Sequence, residues 1–391
     1  MAKKAPSNVT ITNRKWAIGY TIAGAILFIV YQFLLPWEGL PLGIYDAVYE
    51  WMPPSAVNEC LVYVIMALGL NIVVGYAGLL DLGYVAFWAI GGYCAGWFMS
   101  EFFYFLNIHF FGSVPAEAPG IHINFWMVLL IGGFVCALFG VLIGAPTLRL
   151  KSDYLALVTL GFGEIIPQVF FNGENFFGFN ISNGTKGIVV VDPIPAGFKN
   201  LGPFDFGWKL LIFLLLTAVM VFVSLRLRRG RLGRAWLAIR EDELAASMMG
   251  VPLMRTKLLS YAVGAFAGGL GGVAFATHVN GVYAERFNFA ISIFLLAMVV
   301  LGGMGNVWGV ILGAFVLSWV NGTGLVAFGD TFNTQFGTSI DFASFTFLLF
   351  GLVLIFMMLY RREGLLPESR LKLVLHEEEL DEAADGKKAK K

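Results

Sequence analysis

The chain has 391 residues, of which 58% are hydrophobic, 15% aromatic and only 13% charged, with a mean hydropathy of +0.77. A soluble globular chain carries about 25% charged residues, so this one is too poor in charge to cover a water-facing surface and reads as an integral membrane protein. Its 26 basic residues balance its 26 acidic ones, which removes any composition-based case for a nucleic-acid partner.

A helix that crosses the hydrocarbon core needs about 20 apolar residues. Charge-free runs of that order occur at Trp16 to Trp37, Cys60 to Leu80, Leu82 to Ser100, Ile121 to Leu148, Leu210 to Leu225, Leu258 to Ala284 and Phe342 to Tyr360. The first is too long for a signal-peptide core, and Pro36 to Gly39 offer no small-x-small cleavage site, so it reads as a retained helix. Tyr154 to Phe171 is span-length but holds Glu164 and Pro167, which suggests a distorted helix buried against protein. Phe287 to Gly329 is uncharged and too long for one helix; Gly302, Gly303, Gly305 and Asn306 supply the turn that divides it. The expectation is an all-α fold of about ten transmembrane helices.

Basic residues orient it. With the N-terminus inside, 22 of the 26 Lys and Arg residues fall in cytoplasmic segments, leaving Lys186, Lys199, Lys209 and Arg286 outside. Both termini are then cytoplasmic: a segment over 1–15, a transmembrane domain over 16–360, and a charged tail over 361–391 that lacks an apolar pattern past Leu375 and reads as disordered. Cys60, Cys94 and Cys136 each sit alone in an apolar run, without metal or redox spacing.

The most distinctive loop, about 228–256, is cytoplasmic. Glu241, Asp242 and Glu243 suit a first helical turn, and Gly250 followed by Pro252 stops a helix at Met249. Leu244 and Met248 share a face beside the small Ala245 and Ala246, a shape suited to a partner's groove; a solvated connector is the bland alternative.

Ala245 to Gly250 resembles the Ala-Ala-x-x-x-Gly core of the coupling loop of ABC importer permeases, with the family's preceding Glu replaced by Leu244 and Glu243 one position earlier. Ala67 to Phe87, Tyr154 to Glu164, Arg240 to Glu243 with Lys257 and Leu258, and Met298 to Gly309 together look like branched-chain amino acid permeases of the LivM type. The resemblance runs from about Glu59 to Pro367. It implies the ABC importer permease fold in a bacterial inner membrane and a pathway for leucine, isoleucine or valine. It also implies coupling to ATPase subunits through Arg240, Glu241, Asp242, Glu243, Leu244, Ala245, Ala246, Met248 and Gly250. The implied partners are a second, related permease subunit, two ATP-binding cassette subunits and an extracytoplasmic solute-binding protein. The chain has no P-loop motif, so no cofactor is expected on it and ATP is used by its partners.

Asn71, Gly75, Asp81, Thr159, Gly161, Gly163 and Glu164 are the candidates for the translocation pathway. A carboxylate at membrane depth is costly and points to function by default. Asp81, at a turn between spans, also reads as a helix cap, Glu164 as a structural hydrogen-bond partner, and Asn71 as an interhelical hydrogen bond. Glycines 264, 268, 269, 271 and 272 most commonly mean close helix packing, and His278 a partner-satisfied histidine. The external segment from Asn172 to Phe206, with Trp37 to Glu59, is a candidate surface for the binding protein. A urea or short-amide permease of the same superfamily, whose segments look similar, and a secondary transporter remain alternatives. An enzyme is disfavoured, since neither H-E-x-x-H nor G-x-S-x-G is present.

Overall fold

Apolar runs of span length become helices because hydrocarbon offers no partner to backbone N–H and C=O groups, which a helix satisfies internally. The computed structural model of the chain describes residues 8–34, 42–150, 152–196, 199–361 and 364–366. The tail expected to be disordered lies almost entirely outside the described residues. Helices run in the order α1 (Asn8–Ile29), α2 (Leu42–Trp51), α3 (Pro54–Leu70), α4 (Val85–Phe98), α5 (Phe125–Thr147), α6 (Ser152–Phe171) and α7 (Phe206–Arg229). They continue with α8 (Arg231–Glu241), α9 (Glu243–Met248), α10 (Leu253–Val279), α11 (Phe289–Gly302), α12 (Val307–Trp319), α13 (Leu325–Phe336) and α14 (Thr346–Tyr360).

Among the described residues, eight helical stretches are long and apolar enough to cross a membrane, and Val85–Phe98 and Phe342–Met357 are shorter apolar helices. The expected figure of ten counts both groups. The uncharged run from Phe287 divides where its glycines indicate, Gly303 and Gly305 taking φ of 107° and 87° between α11 and α12. Beyond α12 the chain passes through a π-helical stretch, Val320–Gly324, and α13 carries it past the expected end at Gly329.

The centre is built around α10, which packs against α5, α4 and α3. Its glycines allow backbones to touch: a Cβ on Gly91 of α4 would stand 2.5 Å from the Gly269 carbonyl, and one on Gly269 2.6 Å from that of Gly132. Helix association in a membrane depends on such close approach, because apolar side chains gain little by leaving lipid. The inner stretch through α3 is 94% buried, whereas the α1 span is 6% buried and faces outward.

Short strands cap the bundle at the end away from α8 and α9. β1 (Met99–Ser100), β2 (Asn107–Phe110) and β3 (Gly120–Ile123) form one sheet, with Met99 opposite His122 and β2 parallel to β3. β4 (Ile188–Val189) pairs with β7 (Gly281–Val282), and β5 (Ile194–Pro195) with β6 (Asn200–Leu201). The cap is tied across by His122 Nδ1, 2.8 Å from Asp192 Oδ2, and by the Trp97 indole donating to the Ile181 carbonyl at 2.7 Å.

Candidate coupling and translocation sites

The charged loop folds as two helices where one was expected. Asp242 breaks the run: extended at φ −154°, it accepts the Ala245 N–H on Oδ1 at 3.0 Å and so caps α9, leaving Glu243 in the first turn. Gly250 at φ +83° and Pro252 end it, the Val251 N–H bonding back to the Ala246 carbonyl at 3.1 Å. α8 is held down by Trp236, fully buried, whose indole N–H donates to the Thr256 carbonyl at 2.8 Å.

This geometry sorts the nine expected coupling residues. Leu244 and Met248 stand 69% and 79% exposed on one face of α9, a heavy exposure of apolar surface for a polar-solvent segment. Met249, outside the expected set, extends it. Glu241, Asp242, Ala245 and Gly250 are also exposed, while Ala246 is buried. Glu243 and Arg240 engage the bundle. Glu243 Oε1 lies 2.6 Å from Nζ of the buried Lys257 on α10, so the shifted glutamate is that cation's counter-charge among the described residues. The Arg240 guanidinium donates to the Gly75 carbonyl.

The pathway candidates fall into two groups. Asn71, Gly75, Asp81, Thr159 and Gly163 are buried within this chain. Past α3 the helix widens into a π-helical stretch, Asn71–Tyr76, then gives way to non-helical chain to Tyr84. That segment is fastened to α6: Leu82 N–H donates to Thr159 Oγ1 at 3.1 Å, and a Cβ on Gly163 would meet Gly83 Cα at 2.9 Å. Asp81 Oδ1 accepts the Gly83 N–H at 2.9 Å, a turn bond two residues on and not the expected helix cap, since α4 starts after Tyr84 without a side-chain cap; the Tyr261 phenol stands beside the carboxylate. Asn71 Oδ1 accepts the Gly305 N–H at 2.9 Å, the interhelical reading.

Gly161 and Glu164 lie on the other side of α6. Tyr154, Leu157, Glu164, Ile165 and Gln168 are exposed on one helical face, and a Cβ at Gly161 would meet nothing within 4 Å. A groove of about 370 Å³ beside it is lined by Glu164, Ile165, Gln168, Val169, Asn172 and Phe176. A carboxylate and a carboxamide on an open face of an 18-residue span are costly against lipid, so the face calls for water or another protein.

At the capped end, Glu50 and Glu59 meet Asp330 of α13 around a groove of about 360 Å³. Glu50 and Glu59 belong to the Trp37 to Glu59 segment expected as a surface for the binding protein, whereas Asp330 was not expected there, since no local pattern connects it to them. His278 departs from expectation: its Nδ1 is buried without a hydrogen-bond partner, and its ring sits near Phe206 and Phe213. The expected packing of the α10 glycines is what the structure shows.

A family model described as the permease component of the branched-chain amino acid transport system matches residues 55–359. The chain is 38% identical over 337 residues to the high-affinity branched-chain amino acid transport system permease protein LivM of Escherichia coli (strain K12), covering 81% of this chain and 70% of that protein. It is 26% identical over 330 residues to a probable LivM of Methanocaldococcus jannaschii, covering 78% and 90%. A shorter likeness, 30% over 105 residues, links it to LivH of Salmonella typhimurium, covering 27% of this chain and 32% of that one.

Proposed function

Because the chain belongs to the family of branched-chain amino acid transport permeases, we propose that it forms one half of the membrane pathway of an ATP-driven importer for leucine, isoleucine and valine. It is a multi-pass bacterial inner-membrane permease subunit, and ATP hydrolysis belongs to separate subunits. The observation that carries the reading is the family match, which runs from the start of α3 to the last turn of α14. Likeness to both LivM and LivH supports a second, related permease as its partner.

The finer parts rest on geometry and charge. The end bearing α8 and α9 is cytoplasmic, in keeping with the 22 basic residues that then lie inside. The Leu244 and Met248 face docks in a groove of an ATPase subunit, and α9 moves with that subunit as it closes on ATP. The face of α6 with Gly161, Glu164 and Gln168 lines the pathway opposite the second permease. There the carboxylate is wet or hydrogen-bonded, and the solute passes between the subunits. The strand cap receives the solute-binding protein.

The test is uptake of labelled leucine, valine and urea by cells lacking the gene, complemented with wild type or with Leu244→Asp/Met248→Asp. The deletion is expected to lose leucine and valine uptake. The double variant should reach the membrane and fail to restore it, with the ATPase subunits no longer co-purifying. Loss of urea uptake alone moves the substrate assignment, and full restoration by the double variant refutes docking through α9.

A further inference from the structure

We propose that Arg240 is a positioning residue, the strut through which the α8–α9 segment moves the broken end of α3. The proposal rests on the reading of α9 as the coupling helix. It assigns Arg240 an inward role in place of contact with the ATPase.

The observations converge on the short stretch from Gly75 to Gly78. The Gly75 carbonyl, near the end of the π-helical stretch Asn71–Tyr76, accepts the Arg240 guanidinium. Carbonyls at a helix end lack intrahelical partners and carry the negative end of the dipole, so a cation belongs there. The stem of Arg240 lies flat on Gly78, where φ is +70° and a Cβ would stand 2.8 Å from Arg240 Cγ. Only glycine allows that approach at that backbone angle.

On its other side Gly75 is wedged against the turn between α11 and α12, since a Cβ on it would meet the Gly305 nitrogen at 2.6 Å. Asn71, one turn earlier, accepts the Gly305 N–H at 2.9 Å. That turn is itself fastened to the chain beyond α14, through Leu365 N–H to the Leu301 carbonyl at 2.8 Å and Asn306 Nδ2 to the Leu366 carbonyl at 2.9 Å. A displacement of α8 therefore bears on the α3 end at the Gly75 carbonyl and the Gly78 backbone, and through Asn71 and Gly75 on the α11–α12 turn.

The element that would move is the one built to change. π-helical stretches are rare and recur at functional sites. Asn71 Nδ2 is buried here without a hydrogen-bond partner, a donor that a second arrangement of the stretch can satisfy. Non-helical chain to Tyr84 follows directly and is bonded to Thr159 on α6, the helix whose opposite face holds Glu164.

The experiment uses the whole complex in proteoliposomes: this chain, its partner permease, the ATPase subunits and the binding protein. It reads ATP hydrolysed per leucine imported for wild type, R240A and R240K. With R240A the ATPases should co-purify at wild-type level and hydrolysis stay within about twofold, while uptake falls about tenfold or more, the scale of one charged hydrogen bond. R240K, which keeps a donor, should recover much of the ratio. An unchanged ratio overturns the proposal, as does a parallel loss of hydrolysis and assembly. If R240A does not accumulate, R240Q is read in its place; loss of both beside a wild-type R240K ratio reduces Arg240 to a folding role and overturns the strut. Failure of the transport reading looks different, because the wild-type complex itself would then neither hold the ATPases nor import leucine.

Discussion

Lys257 is a cation 8% exposed at the start of α10, paired among the described residues with the Glu243 carboxylate, itself 52% exposed. The pair is asymmetric: removing the glutamate strands a desolvated ammonium, while removing the lysine leaves a carboxylate that water can reach. E243Q should therefore lower the stability of the detergent-solubilised protein by about 1–2 kcal/mol, less than a fully buried pair because Glu243 is half solvated. Adding K257M should restore most of it in a thermal melt, and a double variant no better than E243Q would refute the pairing. In the strand cap, burial lifts the Asp192 carboxyl above its ordinary value, against the opposing hydrogen bond from His122. His109, stacked on His122, and Glu101 also bear on it. A raised carboxyl binds its proton more tightly in the folded cap. Its contribution is thus full below the ordinary carboxylate value and lost as pH rises through the raised one. Amide protection factors of β3 should fall as pH rises above the ordinary carboxylate range in wild type, and less steeply in D192N. Equal slopes would contradict this assignment. Neither pairing was readable in advance: Asp192 stands in a loop without periodicity, and Glu243 was expected only as a first-turn acid and a coupling residue, because its place in a charge run was all that was visible.

Single helices show which rules of patterning survive contact with tertiary structure. The glycines of α10 were legible because small residues at close spacing in an apolar span have one common use, and α10 puts them against backbone of α4 and α5. The Gly250 and Pro252 stop was legible for the same reason, being local chemistry. The split at Asp242 was missed: aspartate ranks as both a first-turn acid and an N-cap, and only the bend of the chain decides between them. α6 is the instructive case, because its two faces carry opposite duties. Thr159 and Gly163 clamp the non-helical segment before α4, while Glu164 and Gln168 look away from the chain. All three native cysteines are buried, so a cysteine placed at Gln168 gives a nearly background-free probe. In the assembled importer it should react with a small water-borne maleimide and cross-link to the second permease, whereas one at Phe222 on α7 should do neither. Equal labelling of the two positions would mean that the α6 face meets lipid.

At the scale of the molecule, the all-helical character of the apolar runs followed from the cost of leaving backbone unsatisfied in hydrocarbon, which acts on every residue and leaves its mark in composition. The meeting of distant parts left no such mark. Arg240 with Gly75, and Glu59 with Asp330, join residues whose neighbours in sequence are unrelated. The innermost position of α3 and α4 has a consequence for how the protein is made. Asn71 finds its partner Gly305 234 residues later in the chain. At about 5–20 residues per second, a ribosome needs on the order of ten to fifty seconds to deliver it. Throughout that interval the two helices destined for the centre, with Asn58, Asn71 and Asp81 among them, are already at the insertion machinery without the α10 and α12 that will enclose them. Assembly of this subunit is thus ordered in time: its core stays open until the later-made walls arrive, and Asn71 at its centre finds its partner only late in synthesis.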